Sequence, residues 1–200
     1  MKLIVVRHAL TDWNTMKRWH GHTDVPLSAE GRVQAKKLAL RLKEYTIEII
    51  YSSPLSRALD TAKAIKEFHP KAKIVQDNDL MEIAFGVFEG LTLDEVILKH
   101  KEIFEEREKD KYNYKGHRGE SLREVEERGL RALDRVISAG KDCVIVSHGV
   151  LNHFILKKLL NTSIEEIKKH NYGNTNISVF EINDGSVTVK EFNCTKHLNE

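Results

Sequence analysis

Three short apolar runs in this chain are each followed at once by residues able to handle an anion. Leu3-Ile4-Val5-Val6 leads into Arg7-His8. Ile47 to Tyr51 leads into Ser52-Ser53-Pro54 and, one helical turn later, Arg57. Cys143 to Ser147 leads into His148-Gly149. Two guanidinium groups and two imidazoles gathered at one place suit a phosphoryl group, which carries a charge of about −1.5 to −2 at neutral pH. Planar guanidinium forks match its oxygens, and a helix amino terminus nearby adds positive dipole and free amides. A lone histidine at a strand end is more often structural. The pairing of His8 with Arg7, and of His148 with Gly149 at a second strand end, favours function. Nothing in the sequence reads as a Gly-rich nucleotide-binding loop, so a bound nucleotide is not the first reading.

The elements around these residues place them together. Leu3 to Val6, Ile47 to Tyr51, Lys73 to Gln76 and Cys143 to Ser147 read as strands. Helical spacing of apolar residues follows Ser28, and again from Leu55 to Ile65, where Ser53-Pro54 predicts an N-cap with proline at the first helical position. Thr92 to Glu95, Ser121 to Glu124 and Ser163 to Glu166 each fit a capping box. Leu151 to Leu160 predicts a further helix. Asn183-Asp184-Gly185-Ser186, between Ile177–Ile182 and Val187–Phe192, signals a closing hairpin. Strand–helix alternation of this kind predicts an α/β fold: a three-layer α/β/α sandwich with a mostly parallel central sheet and a C-terminal antiparallel hairpin. Ligands bind such sheets beyond the carboxyl ends of the strands, where Arg7, His8, Arg57 and His148 fall.

Composition narrows the function classes. Two hundred residues, 40% hydrophobic and 31% charged, predict a single globular domain over 1–200. No apolar run approaches the ~18 residues of a membrane span, so no membrane partner is expected. The apolar stretch at the N-terminus is too short for a signal peptide, which predicts a cytoplasmic protein. Net charge is +2, with basic and acidic residues interleaved, so nucleic acid is not an expected partner. Cys143 and Cys194 lie far apart and outside any metal or disulfide pattern. His20 and His22 have no evident third ligand, so no metal is expected there. Trp13 and Trp19 read as packing residues near the site rim. The charged stretch from Lys99 to Lys115 reads as a solvated helix and its exit loop.

Arg7-His8-Ala9-Leu10-Thr11-Asp12-Trp13-Asn14 resembles the signature that opens the histidine phosphatase superfamily, the phosphoglycerate-mutase-like group, and specifically its phosphatase branch. Gly21 to Ser28, Tyr51 to Ala62, Glu82 to Gly90, Gly119-Glu120-Ser121-Leu122 and Val146-Ser147-His148-Gly149 resemble its later motifs, in order and nearly end to end. The resemblance implies that His8 is the nucleophile, forming a covalent phosphohistidine. Arg7, Arg57 and His148 would hold the phosphate oxygens. Glu82 would protonate the leaving alcohol and then activate water. Asn14 would belong to the phosphate pocket, and His20 and Gly21 to a loop lining the substrate site. Neither metal nor other cofactor is implied. In the family the segment after Lys99 overhangs the pocket, so it is also a candidate lid.

Two positions depart from the pattern, which has glycine and glutamate where this chain has Ala9 and Leu10. Alanine is tolerated unless the backbone needs positive φ. Leu10 is expected to add apolar surface near the substrate. The resemblance implies three possible functions. The first is a metal-independent phosphomonoesterase acting on a small phosphorylated metabolite, with a homodimer left open as its assembly. The second is a cofactor-dependent phosphoglycerate mutase using the same phosphohistidine. The third is a non-enzymatic phosphate-binding regulator. Only about thirty residues separate Gly90 from Glu120, whereas the mutases it resembles carry an insertion there, so phosphatase ranks first. No lesion in the catalytic set supports the regulator. Candidate substrates include α-ribazole 5′-phosphate, phosphoserine and sugar phosphates. Phe85 beside Glu82 favours a hydrophobic leaving group.

Overall fold

Strand β1 (Lys2–Arg7) is apolar at every position from Leu3 to Val6 because both of its faces are covered. The computed structural model describes residues 1–199. The other strands are β2 (Ile49–Ser52), β3 (Lys73–Gln76), β4 (Cys143–Ser147), β5 (Ile177–Asn183) and β6 (Ser186–Cys194). They form one sheet in the order β3-β2-β4-β1-β5-β6. The four strands from β3 to β1 are parallel, and β5 and β6 add two antiparallel pairings. The helices are α1 (Asp12–Thr15), α2 (Ala29–Leu42), α3 (Ser56–Phe68), α4 (Leu93–Lys109), α5 (Leu122–Ser138), α6 (Gly149–Leu159) and α7 (Ile164–Lys168).

Alternation along β1 sorts the core into two halves. Leu3 and Val5 join Leu133 of α5 and Leu151 and Ile155 of α6 on one face. Ile4 and Val6 join Leu38 of α2 and Ala62 and Ile65 of α3 on the other. This is the three-layer α/β/α sandwich expected, with its mostly parallel sheet and closing hairpin. At the hairpin, Asp184 and Gly185 take φ of 49° and 80°, the left-handed pair that a two-residue turn demands. Among the described residues no helix is long and apolar enough to cross a membrane.

Register brings the three strand ends level. Arg7 lies opposite Ser147, and the next residue, His8, donates its amide to the Ser147 carbonyl at 2.9 Å. Ser52 lies opposite Val146, and the Ser53 amide reaches that residue's carbonyl at 3.1 Å. Because β5 runs antiparallel to β1, the segment just before it reaches the same edge. There Thr175 donates its amide to the Arg7 carbonyl at 3.1 Å.

Helix starts follow the sequence in most places. Ser28 caps α2, and full capping boxes open α4 and α5. Two differ. Ser163 caps α7, but the Glu166 carboxylate turns to Lys169 at 2.6 Å instead of closing the box. Helix α3 starts at Ser56 rather than Pro54, with Leu55 at its N-cap. Ser53 instead accepts the Leu55 amide in a turn at 3.3 Å, and the Asp24 carboxylate accepts the Ser56 amide at 2.8 Å. A carboxylate from a distant loop therefore satisfies the helix start that Ser53 was expected to cap.

Candidate active site

At the carboxyl edge of the sheet lies a pocket of about 300 Å³, lined by Arg7, His8, Asn14, His20, Arg57 and Glu82, with Trp13, Trp19 and Phe85 on its walls. His8 is almost fully buried. Its Nδ1 lies 2.7 Å from the Ala9 carbonyl oxygen. A carbonyl only accepts, so Nδ1 carries the proton and Nε2 keeps its lone pair. Burial, reinforced by Arg57 and Arg7, holds the His8 pKa well below its usual value. The ring is therefore neutral at neutral pH, the form a nucleophile requires.

Arg57 is fully buried on the first turn of α3. Its guanidinium donates to the carbonyls of Gly21 at 2.8 Å and Thr23 at 3.1 Å. Burial lowers its pKa to about 10, which still leaves it charged. Arg7 donates to the Tyr172 carbonyl at 2.8 Å. His148 sits beside His8, with ring centroids 5.1 Å apart, and burial holds its pKa well below the usual value. Both ring nitrogens of His148, and Nε of Arg7 and of Arg57, are buried with no hydrogen-bond partner in the protein. Each such group costs about 1–3 kcal/mol unless a ligand meets it. The two guanidinium Nε–H groups and the single N–H of a neutral His148, gathered beside His8, suit the oxygens of a phosphoryl group.

Glu82 reaches the same pocket from the loop between β3 and α4. Its carboxylate accepts the amides of Ile83 at 3.0 Å, Val150 at 3.2 Å and Leu151 at 3.3 Å. Val150 and Leu151 belong to the first turn of α6, directly after His148-Gly149, so one helix start positions both the second histidine and the carboxylate. Asn14 accepts at Oδ1 from the Thr11 amide at 3.0 Å and from Asn174 at 3.2 Å, leaving its Nδ2 to donate toward the pocket. His20 hydrogen-bonds Thr11 Oγ1, and burial beside Arg57 and Arg7 lowers its pKa to about 3. Gly21 is not on the pocket wall. Its part is to hold Arg57 through its carbonyl. Its φ of +53° and the 1.9 Å approach of Glu89 Oε1 to a would-be Cβ exclude a side chain there. Among the described residues no group of three or more His, Cys, Asp or Glu could hold a metal ion.

Ala9 is fully buried and is not among the residues with positive φ, so the backbone accepts it without strain. Its amide donates to Thr61 Oγ1 at 3.0 Å. Leu10 does not line the pocket as expected. It faces α2, where its carbonyl accepts the Ser28 amide at 3.0 Å and its amide donates to Gln34 at 3.2 Å. The charged stretch after Lys99 is the largely exposed helix end and exit loop expected, with Arg107 the exception. Arg107 is buried over the rings of Trp19 and Phe85, at 5.5 and 6.0 Å.

Lys17, Arg18, Asn174 and Arg128 escaped sequence reasoning, while Glu89 and Glu120 stand in the motifs quoted above. Lys17 and Arg18 line the pocket. Asn174 donates to the His8 carbonyl at 2.9 Å. Glu89 gathers the amides of His22 at 3.0 Å, Thr23 at 2.7 Å and Phe85 at 3.0 Å. Arg128 of α5 forks onto Glu120 at 2.8 and 2.9 Å and donates to the carbonyls of Asp79 at 3.0 Å and Glu82 at 2.8 Å. Glu120 in turn accepts the Ala84 amide at 2.9 Å. This buried clamp fixes the backbone on both sides of Glu82. Arg128→Met is expected to cost about 3 kcal/mol, since it takes the guanidinium partner from the Glu120 carboxylate and a donor from the carbonyls of Asp79, Met81 and Glu82. It should also lower kcat about tenfold or more by misplacing Glu82. Urea unfolding and steady-state kinetics check both; wild-type values in the variant would show that Glu82 is held without the clamp.

A neutral histidine with a free Nε2, flanked by the buried Arg57, the half-buried Arg7, a second histidine and a carboxylate, fits a site for phosphoryl transfer to imidazole. Residues 3–195 match the model of the histidine phosphatase superfamily (branch 1), and the chain belongs to that family. It is 32% identical to phosphoserine phosphatase 1 of Hydrogenobacter thermophilus, across 100% of this chain and 95% of that protein. It is also 32% identical to phosphoglycerate mutase-like protein 4 of Arabidopsis thaliana, across 100% and 87%. Among solved structures, Bacillus stearothermophilus YhfR superposes with a TM-score of 0.88 at 29% identity, covering 98% of each chain.

Proposed function

We propose that the chain works as a single histidine phosphatase domain that hydrolyses a small phosphomonoester through a phosphohistidine on His8. One observation carries this reading: the Ala9 carbonyl fixes the His8 tautomer so that a neutral Nε2 lines a pocket shared with Arg7, Arg57 and Glu82. In the first half-reaction Nε2 attacks phosphorus and the ester P–O bond breaks. Glu82 gives its proton to the departing oxygen. In the second, Glu82 takes a proton from water as the water oxygen attacks phosphorus. The P–N bond breaks and inorganic phosphate leaves. Arg7, Arg57 and His148 stabilise charge on the equatorial oxygens throughout. Asn14 and His20 belong to the wall that orients the ester. A pocket of about 300 Å³ is at the small end for ligand sites and suits a short leaving group.

The mutase reading uses the same phosphohistidine and returns the phosphoryl group to the product. The mutase-like relative from Arabidopsis favours keeping it in view. One assay separates the two. Given 3-phosphoglycerate and 2,3-bisphosphoglycerate in excess EDTA, the protein is expected to release inorganic phosphate faster than it forms 2-phosphoglycerate. Faster isomerisation would make it a mutase, and dependence on an added divalent ion would overturn the metal-free chemistry. The same reading sets the protein in the cytoplasm, and sedimentation velocity distinguishes monomer from homodimer.

A further inference from the structure

One segment that does not line the pocket reaches three of the groups assigned to the phosphoryl site. It is the stretch from Tyr172 to Thr175, between α7 and β5. The Tyr172 carbonyl accepts from Arg7 Nη1 at 2.8 Å, and the Thr175 amide donates to the Arg7 carbonyl at 3.1 Å. Asn174 Nδ2 donates twice, to the His8 carbonyl at 2.9 Å and to Asn14 Oδ1 at 3.2 Å. The main chain of His8 is therefore held at both ends, its amide on Ser147 of β4 and its carbonyl on Asn174.

The segment is held in a conformation that costs it energy. Thr175 is fully buried and has φ of 56°. A β-branched residue in the left-handed region is strained, because its Cβ crowds the backbone. Such strain persists only where the surroundings impose it. Here they come from β6 and the turn after it. His197 Nε2 lies 3.2 Å from Thr175 Oγ1. Asn193 stands in the bulge where β6 pairs with the start of β5, and it is left-handed too, with φ of 48°. Its Nδ2 donates to the Asn171 carbonyl at 3.0 Å, and its Oδ1 accepts from Asn176 Nδ2 at 2.9 Å. Asn193 thus brackets the segment on both sides, and His197 bears on its strained residue.

We infer that Asn174 is a positioning residue for phosphoryl transfer, held by Asn193 and His197 through the strained Thr175, so that this brace sets the mutual placement of Arg7, His8 and Asn14. The inference rests on the phosphatase reading of the site. Asn174 acts through His8 and Asn14 and touches no substrate. A nucleophile and its phosphate-holding groups must meet a five-coordinate phosphorus together, whereas a free phosphate ion tolerates looser placement. Misplacement therefore falls mainly on the transition state.

The test uses the full chain with Asn174→Ala, Thr175→Val and Thr175→Ser. Two ions probe the site without turnover: inorganic phosphate, and orthovanadate, which becomes five-coordinate against a nucleophile. In Asn174→Ala the Kd for vanadate is expected to rise about tenfold or more, and that for phosphate less than about threefold. With KM nearly unchanged, kcat should fall about tenfold on p-nitrophenyl phosphate and on an alkyl phosphate alike, because both esters use the same nucleophile and phosphoryl pocket. Thr175→Val keeps the branched shape but loses the hydroxyl that meets His197, and it should show the same two losses. Thr175→Ser keeps the hydroxyl and should restore most of both. If Thr175→Val does not fold, His197→Phe removes the same contact from the other side and is read in the same way. Equal weakening of vanadate and phosphate, or an unchanged kcat in Asn174→Ala, overturns the inference and leaves the phosphatase reading standing. A wild type that binds neither ion and hydrolyses no ester counts against the phosphatase reading and takes the inference with it.

Discussion

His8→Ala is expected to reduce turnover by roughly 10⁴-fold or more, the scale lost when a covalent nucleophile is removed. The fold should survive. His8 is buried, but in the pocket wall beyond the end of β1 rather than in either half of the core, and its backbone contacts do not involve the ring. Far-UV circular dichroism and a cooperative urea transition would establish that. Acid-stable label on Ser or Thr, or substantial activity in His8→Ala, would move the nucleophile elsewhere; an acid-labile, base-stable phosphoryl group on wild type fits His8. The ring's state can be read directly. With Nδ1 bonded to the Ala9 carbonyl and its pKa held well below the usual value, nitrogen NMR of labelled histidine should report a neutral, Nδ1-protonated ring from pH 8 down through about 6.5, where an ordinary histidine is half charged. Titration at the ordinary value would contradict the buried, arginine-flanked environment.

Strands and strand-end residues are legible in the sequence because both depend on local pattern. β3 and β4 run over the residues expected of them, and the Asp184-Gly185 turn is dictated by the residues within it. Arg7, Arg57 and His148 are legible because parallel strands deliver the residues beyond their carboxyl ends to one edge of the sheet. Glu82 is different. It lies on a loop, and its carboxylate is placed by amides 68 and 69 residues away and its backbone by Arg128, 46 residues away. No local signal carries such contacts, so only the family resemblance points to it. Asn174 could have been anticipated: an antiparallel β5 beside β1 must start at the active edge, which brings the polar run from Asn174 to Asn176 to His8. The start of α3 departs from its local signal because Asp24, from another loop, satisfies its first amide.

Glu82→Gln should separate the two half-reactions. As an acid, Glu82 must hold a proton when the ester oxygen departs; as a base, it must be ionised when water attacks. Glutamine keeps the size and can still accept the Ile83 and Leu151 amides through its carbonyl oxygen, so the fold and the α6 contact should persist. It can neither give nor take the proton. Alkyl esters, whose alkoxide leaves poorly, should lose about 10²- to 10⁴-fold in kcat/KM. p-Nitrophenyl phosphate has a leaving group that needs little protonation, so formation of phosphohistidine should suffer far less. Hydrolysis of the intermediate still needs the base, so phosphoenzyme should accumulate to a higher steady-state level than in wild type. The measurements are the rate ratio between an alkyl and a nitrophenyl ester and the label trapped at His8 after acid-free quenching. Arg128→Met provides an internal comparison. If the clamp acts by holding Glu82, its loss should also fall more heavily on the alkyl ester than on the nitrophenyl ester, though less completely, because the carboxylate remains and is only misplaced. Equal losses on both esters in Glu82→Gln, without accumulation, would assign the proton to another group. Glu89, whose carboxylate is anchored by the amides of His22, Thr23 and Phe85 much as that of Glu82 is by its own three, would then be one residue to replace. Asp12, in the first turn of α1, would then be the next residue to replace.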